Sequence, residues 1–187
     1  KKQHTNIMDA ISHGATDGMT ISINVIAMLI GVIALVALVD ALLGYFGLFL
    51  NWTGISLDFI GLNVEHLRLK DVFGAFFSLF AIVMGVPASE SFTVGSLMGT
   101  KMVINEFVAY SDLSPLIQQG ALSAKSIVIA SFALCGFANF SSIAIQLGGI
   151  GAMVPQRKAD LARLGFKAMI CGTMASYISA SLAGILM

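Results

Sequence analysis

What most constrains this chain is where its charges are absent. Between Asp17 and Asp40 lie 22 uncharged residues rich in Ile, Val, Leu and Ala. A hydrocarbon core about 30 Å thick takes about 20 helical residues, and this run rises about 33 Å as a helix. It reads as one plain spanning helix, apolar all round and without chemistry of its own. Ala168–Met187 is a second ordinary span of 20 residues, with Gly172, Thr173, Ser176, Ser179, Ala180 and Ser181 as a small-residue face for close packing. Only 11% of the 187 residues are charged and 57% are hydrophobic, against roughly 25% charged in a soluble domain. Ten residues of each sign cannot cover a soluble globule of this size, so a cytosolic enzyme is excluded. Zero net charge leaves no basic signature overall, which argues against nucleic acid as a partner.

Two further runs are uncharged but interrupted. Val72–Ser89 carries Gly85 and Pro87, so its helical part is about 13 residues and about 20 Å, too short to cross. Ser91–Tyr110 follows it, with Lys101 and Glu106 in its interior. A short helix, a Gly/Pro break and a returning helix predict a re-entrant hairpin over residues 71–111 with its tip near residues 85–91. Ser126–Gln156 has 31 uncharged residues and would be about 46 Å long unbroken, well beyond the bilayer. The polar, small stretch Gly136, Phe137, Ala138, Asn139, Phe140, Ser141, Ser142 in its middle predicts a discontinuous helix over residues 124–155.

The remaining segments are an amphipathic interfacial helix over residues 1–16, a spanning helix over 17–43, a polar, Gly-rich external connection over 44–70 and a C-terminal span over 165–187. His13, four residues after Asp9, reads as a solvated pair with it. Lys1 and Lys2 precede the first span, and Arg157, Lys158, Arg163 and Lys167 crowd the loop before the last. That asymmetry predicts an N-terminus inside and a C-terminus outside. The chain starts at Lys1 with neither an initiator Met nor a signal peptide, and is expected to begin part-way through a longer protein. Cys135 and Cys171, each inside an apolar stretch, read as buried free thiols, and no Cys/His spacing offers a metal site.

A carboxylate at the centre of a spanning helix costs about 2.5 to 3.5 kcal/mol, so Glu106 points to a polar pathway. Lys101 and Asn105 are expected to share one helical face, Lys101 snorkelling or neutralising an acid. Asn139, Ser141 and Ser142 supply donors and acceptors where the backbone is itself partly unpaired. With the Glu106 carboxylate, and Phe137 or Phe140 as an apolar wall, they suit a neutral, hydroxyl-rich solute. No His/Asp/Ser or metal cluster supports an intramembrane enzyme. Two other readings stay open: an ion-coupled transporter of another small polar solute, and a non-transporting assembly subunit in which the polar residues are packing glue.

The stretch from Gly99 through Lys101, Asn105, Glu106 and Phe107 to Tyr110, and the later Cys135–Ile143 with Phe137, Asn139, Ser141 and Ser142, resemble the C-terminal half of the concentrative nucleoside transporters. The tail Asp160–Gly165 is similar as well, so the resemblance spans nearly the whole chain. It implies an all-α integral membrane fold, half of an inverted-repeat transporter that assembles as a homotrimer and imports nucleosides on a sodium or proton gradient. Carried over, Glu106 in the second hairpin binds the ribose hydroxyls with Asn139 and Ser142, and Phe137 lies beside the substrate. Asn105, Ser141 and Lys101 support them. The nucleobase contacts and the coupling-ion site belong to an N-terminal half, the chain's expected partner beside nucleoside and membrane lipid. No cofactor is implied. The family pattern is expected to carry an aromatic residue at Ala88.

Overall fold

The computed structural model describes residues 6–55, 62–64 and 67–187. Expectations resting on Lys1 and Lys2, and on Asp58, Gly61 and Glu65 of the connection, lie outside the described residues.

Where no breaker intervenes, the chain stays helical. α1 runs from Ile7 to Trp52 as one helix of 46 residues, about 69 Å long. Asn6 caps it, its side chain accepting from the Asp9 N–H at 2.8 Å. No helix end falls at residue 16 or 43, where an amphipathic segment and a span were expected to part. Gly14 and Gly18 weaken a helix by about 1 kcal/mol each without ending it, and no proline or capping side chain follows them. The hydroxyls of Thr16, Thr20 and Ser22 bond back to the carbonyls four residues earlier, at 2.8 to 3.0 Å, instead of opening the helix.

The chain then doubles back twice. α2, Leu69–Val83, begins under a carboxylate from α1: the Leu69 N–H donates to Asp40 Oδ1 at 2.8 Å. It ends at Met84, and the chain reverses through Gly85, whose φ of +101° only glycine adopts at little cost. α3, Ala88–Val103, returns along α2. The two approach so closely that a Cβ on Gly95 would lie 2.5 Å from the Gly74 carbonyl oxygen, and one on Gly99 would overlap that of Lys70. Gly95 and Gly99 are thus a small-xxx-small contact of the kind that joins membrane helices.

The returning arm, expected to reach Tyr110 unbroken, ends at Val103. α4, Glu106–Gln118, turns back along α3, so that Asp112 and Leu116 line one groove with Thr93, Leu97 and Thr100. Residues 71–111 therefore contain two reversals, at Met84–Pro87 and at Ile104–Asn105, in place of one tip at 85–91. Lys101 and Asn105 do not share a helical face. The second reversal needs neither Gly nor Pro, because Asn105 in extended conformation (φ −171°) caps the new helix, its Oδ1 accepting from the Val108 N–H at 2.9 Å.

The last long run breaks in its middle. α5, Ala124–Leu134, and α6, Phe140–Met153, are separated by Cys135–Asn139. α7, Lys158–Leu186, follows a 3-10 turn at Pro155–Arg157 and runs antiparallel along both halves. Gly184 meets Ile129, Ser176 meets Gly136, Gly172 meets Ala138 and Gly165 meets Ile143. α6 crosses α1 where Gly148 faces the backbone of Asn24. Between these layers sit buried Met98, Ile129, Leu134 and Ala180. Aromatic rings of α2 seal them, with Phe77 edge-on to Tyr177 at 6.0 Å and Phe73 edge-on to Phe140 at 6.0 Å.

Among the described residues, α1 and the Pro155–Leu186 stretch are long and apolar enough to cross a membrane. Their outward faces carry Ile23, Ile30, Ile33, Met174, Ile178 and Leu182, all exposed, which suits lipid and not water. Cys135 and Cys171 are free but exposed, not buried, because they stand on outward sides of the break and of α7.

Candidate functional site

The two interruptions made without proline, Ile104–Asn105 and Cys135–Asn139, lie against one another. Each is followed by a helix whose N-cap is an asparagine in extended conformation. At the second, the Asn139 side chain accepts from the Ser142 N–H at 2.7 Å, while the Asn139 N–H donates to Ser142 Oγ at 3.2 Å. This reciprocal capping box satisfies donors that a break at membrane depth would otherwise leave bare. Ser142 Oγ also donates to the Asn139 carbonyl at 2.6 Å. Ser141 Oγ spans the two breaks, donating to the Ile104 carbonyl at 3.0 Å.

Glu106, the first residue of α4, reaches across. Its Oε2 accepts from Asn139 Nδ2 at 2.9 Å. Asn139 is wholly buried and Ser141 and Ser142 nearly so, while Glu106 is half-buried. The constellation therefore has a dry side, where the caps are made, and an open side from which the carboxylate can be approached. With one Asn139 amide proton on Glu106 Oε2, the second carboxylate oxygen remains as an acceptor on the open side. Such an acceptor suits a hydroxyl group.

Helix ends set the electrostatics. The N-termini of α4 and α6 carry partial positive charge, and the Glu106 carboxylate stands between them. The C-terminus of α5 carries partial negative charge, and Lys101 is the cation beside it, its Nζ 3.7 Å from where a Cβ on Gly136 would sit. Breaking one helix at residues 135–139 thus makes an end of each sign, and the two charges of the interior occupy them. Lys101 does not snorkel: it is fully buried, because α3 is enclosed by α2, α4 and α5.

The structure thus brings together Glu106, Asn139 and Ser142, with Asn105 and Ser141 shaping the two breaks. Phe137 is about half exposed. It lines a cleft of about 210 Å³ with Ser142, Gly136 and Gly172. Gln146, which the sequence reading passed over, lines the same cleft. Its signal was its position one helical turn after Ser142, hence on the same face. Tyr110 was also missed; its hydroxyl donates to the Ser131 carbonyl at 2.7 Å and ties α4 to α5. No group of His, Cys, Asp and Glu among the described residues is arranged to hold a metal ion.

The model of the C-terminus of Na+-dependent nucleoside transporters matches residues 1–184. An uncharacterized transporter of Bacillus subtilis, YutK, is 45% identical over 180 residues, covering 96% of this chain and 41% of the relative. The nucleoside permease NupC of Helicobacter pylori is 38% identical over 187 residues, covering 98% of this chain and 42% of the permease. The human sodium/nucleoside cotransporter 1 is 44% identical over 119 residues, covering 57% of this chain and 18% of that protein. The chain thus spans about two fifths of the length of the two bacterial relatives. Among solved structures, an outward-facing state of a CNTnw variant superposes with a TM-score of 0.85 at 41% identity, covering 100% of this chain and 44% of the other. An inward-facing, substrate-bound state of CNTnw gives 0.67 at 42% identity, covering 98% of this chain and 42% of the other.

Proposed function

This chain belongs to the Na+-dependent nucleoside transporter family, a family of integral membrane transporters and not of enzymes, and from that premise we propose that it is the C-terminal half of an ion-coupled nucleoside importer whose ribose site is Glu106, Asn139 and Ser142. The observation that carries the reading is the bond from Asn139 Nδ2 to Glu106 Oε2 across two helix breaks. It fixes the half-buried carboxylate and leaves its second oxygen to accept from a ribose hydroxyl. Phe137 and Gln146 extend the site along the cleft toward α7.

In this reading α3 and α4 are the re-entrant hairpin and Ile104–Asn105 is its tip, with Glu106 held at membrane depth. The α5–α6 break lines the same wet cavity. Sodium is the coupling ion we favour, since relatives such as the human protein are sodium/nucleoside cotransporters. Its site, and the contacts to the nucleobase, fall to the N-terminal half, and three full-length copies assemble. The better superposition on an outward-facing than on an inward-facing state fits an arrangement open to the outside.

The test is uridine binding to the full-length parent protein in nanodiscs by calorimetry, with oligomer size measured alongside. Glu106→Gln removes one or two charge-assisted hydrogen bonds of about 1.5 to 3 kcal/mol each, so affinity falls about 10-fold to 100-fold while the trimer persists. Binding of other polar solutes with no competition from any nucleoside sinks the ribose assignment. Loss of assembly in Glu106→Gln in step with activity favours a packing role for the carboxylate.

A further inference from the structure

Resting on the nucleoside reading above, we propose that Lys101 is a positioning residue for ribose binding: its buried ammonium holds the carbonyl end of α5 and, through the break that follows, the Asn139–Glu106 pair in their working arrangement without touching the substrate. Among the described residues, Lys101 Nζ is buried and has no hydrogen-bond partner, and the side chain has 0% exposure. A desolvated, unpaired ammonium is among the costliest groups a protein can bury. It is offset here from two sides. One is the partial negative charge at the C-terminal end of α5, next to Gly136. The other is the Glu106 carboxylate, whose charge works against the desolvation of burial.

Its stem is rigid. α3 is locked to α2 through the Gly74, Gly95 and Gly99 contact, so the ammonium cannot drift. The segment it faces is not rigid by itself: between Cys135 and Ala138 the backbone bonds are Cys135 N–H to the Phe132 carbonyl and Ala138 N–H to the Gly136 carbonyl. A fixed cation beside a loosely bonded break sets where that break lies, and Asn139, the partner of Glu106, begins the next helix from it. Glu106 bonds Asn139 of α6, and its charge acts on Lys101 of α3 and on Tyr110 of α4; of these, Lys101 alone brings a positive charge.

The experiment measures uridine affinity and oligomer size in the full-length protein for wild type, Lys101→Met, Glu106→Gln and the double variant. Lys101→Met is expected to bind about 10-fold more weakly. The double variant is expected to bind within about twofold of Glu106→Gln, because each change disables the same unit. Wild-type affinity in Lys101→Met, or losses that multiply in the double variant, overturn the proposal. Should Lys101→Met fail to fold, Lys101→Gln keeps a polar head without the charge; the same loss supports the proposal and full affinity overturns it. Failure of the wild type to bind uridine instead breaks the nucleoside reading, and this inference with it.

Discussion

α7 and the α5–α6 pair lie side by side, cover similar lengths of chain and carry similar residues, yet one is continuous and the other is broken. Both contain glycines, alanines and several serines. In α7 the hydroxyls of Ser176, Ser179 and Ser181 donate to the carbonyls of Gly172, Ala175 and Tyr177, at 3.1, 3.2 and 2.8 Å, and the helix runs through. In its neighbour, Asn139 and Ser142 cap each other three residues apart and start a new helix. Serine bonding back to the preceding turn tolerates a helix, whereas asparagine offering its oxygen forward to an N–H restarts one. The polar content of a segment therefore says less than the direction in which its side chains bond. The continuous helix gives the cleft one wall, and the broken one supplies the ends beside Glu106 and Lys101.

The sharpest way to break this contrast is Asn139→Ala. It removes a cap and a bond to a buried-side carboxylate together, and about 2 to 4 kcal/mol of stability should go with them; detergent unfolding measures the loss, and uridine binding should vanish. Gly136→Ala comes next. A Cβ there overlaps Ser176 Oγ, so about 1 to 3 kcal/mol is expected from overpacking. Adding Ser176→Ala should recover more than half, and a merely additive double variant would show that the crowding lies elsewhere. Asn105→Ala, which deletes the cap of α4 but leaves Glu106 with Asn139, should cost about 1 kcal/mol and weaken uridine binding less than Asn139→Ala does. Smallest is Ser179→Ala in the continuous helix, within about 0.5 kcal/mol of wild type with uridine affinity unchanged. A large effect there would mean that the α7 hydroxyls carry more than their bonds to the preceding turn.

Much of this was legible from charge-free lengths and from Gly and Pro. The span in α1, the reversal at Gly85 and Pro87, and the break between Leu134 and Phe140 all announce themselves. The reversal at Ile104–Asn105 does not, since Val103 and Ile104 continue an apolar pattern and neither Gly nor Pro marks the turn. Its one local sign is an asparagine directly before an acidic residue, the composition of a helix start. Glu106 was recognised as an anomaly because it was placed in mid-helix; it belongs instead at a helix N-terminus, where its charge is favoured. The burial of Lys101 was hidden for the opposite reason. A long flexible side chain in an apolar run is ordinarily free to reach the interface, and only the enclosure of α3 by its neighbours prevents it. Likewise Gly14 and Gly18 suggest a joint that the uninterrupted α1 does not contain.

The carboxylate of Asp40 that receives the Leu69 N–H has a consequence for biogenesis. A ribosome delivers α1 first, so the acceptor for the first turn of α2 is in place before α2 emerges. The intervening residues need only bring the later segment to a waiting partner. A chain in which Asp40 becomes alanine would still contain every helix, but α2 would have to choose its starting point without a landmark, and the reversals downstream inherit whatever register it takes.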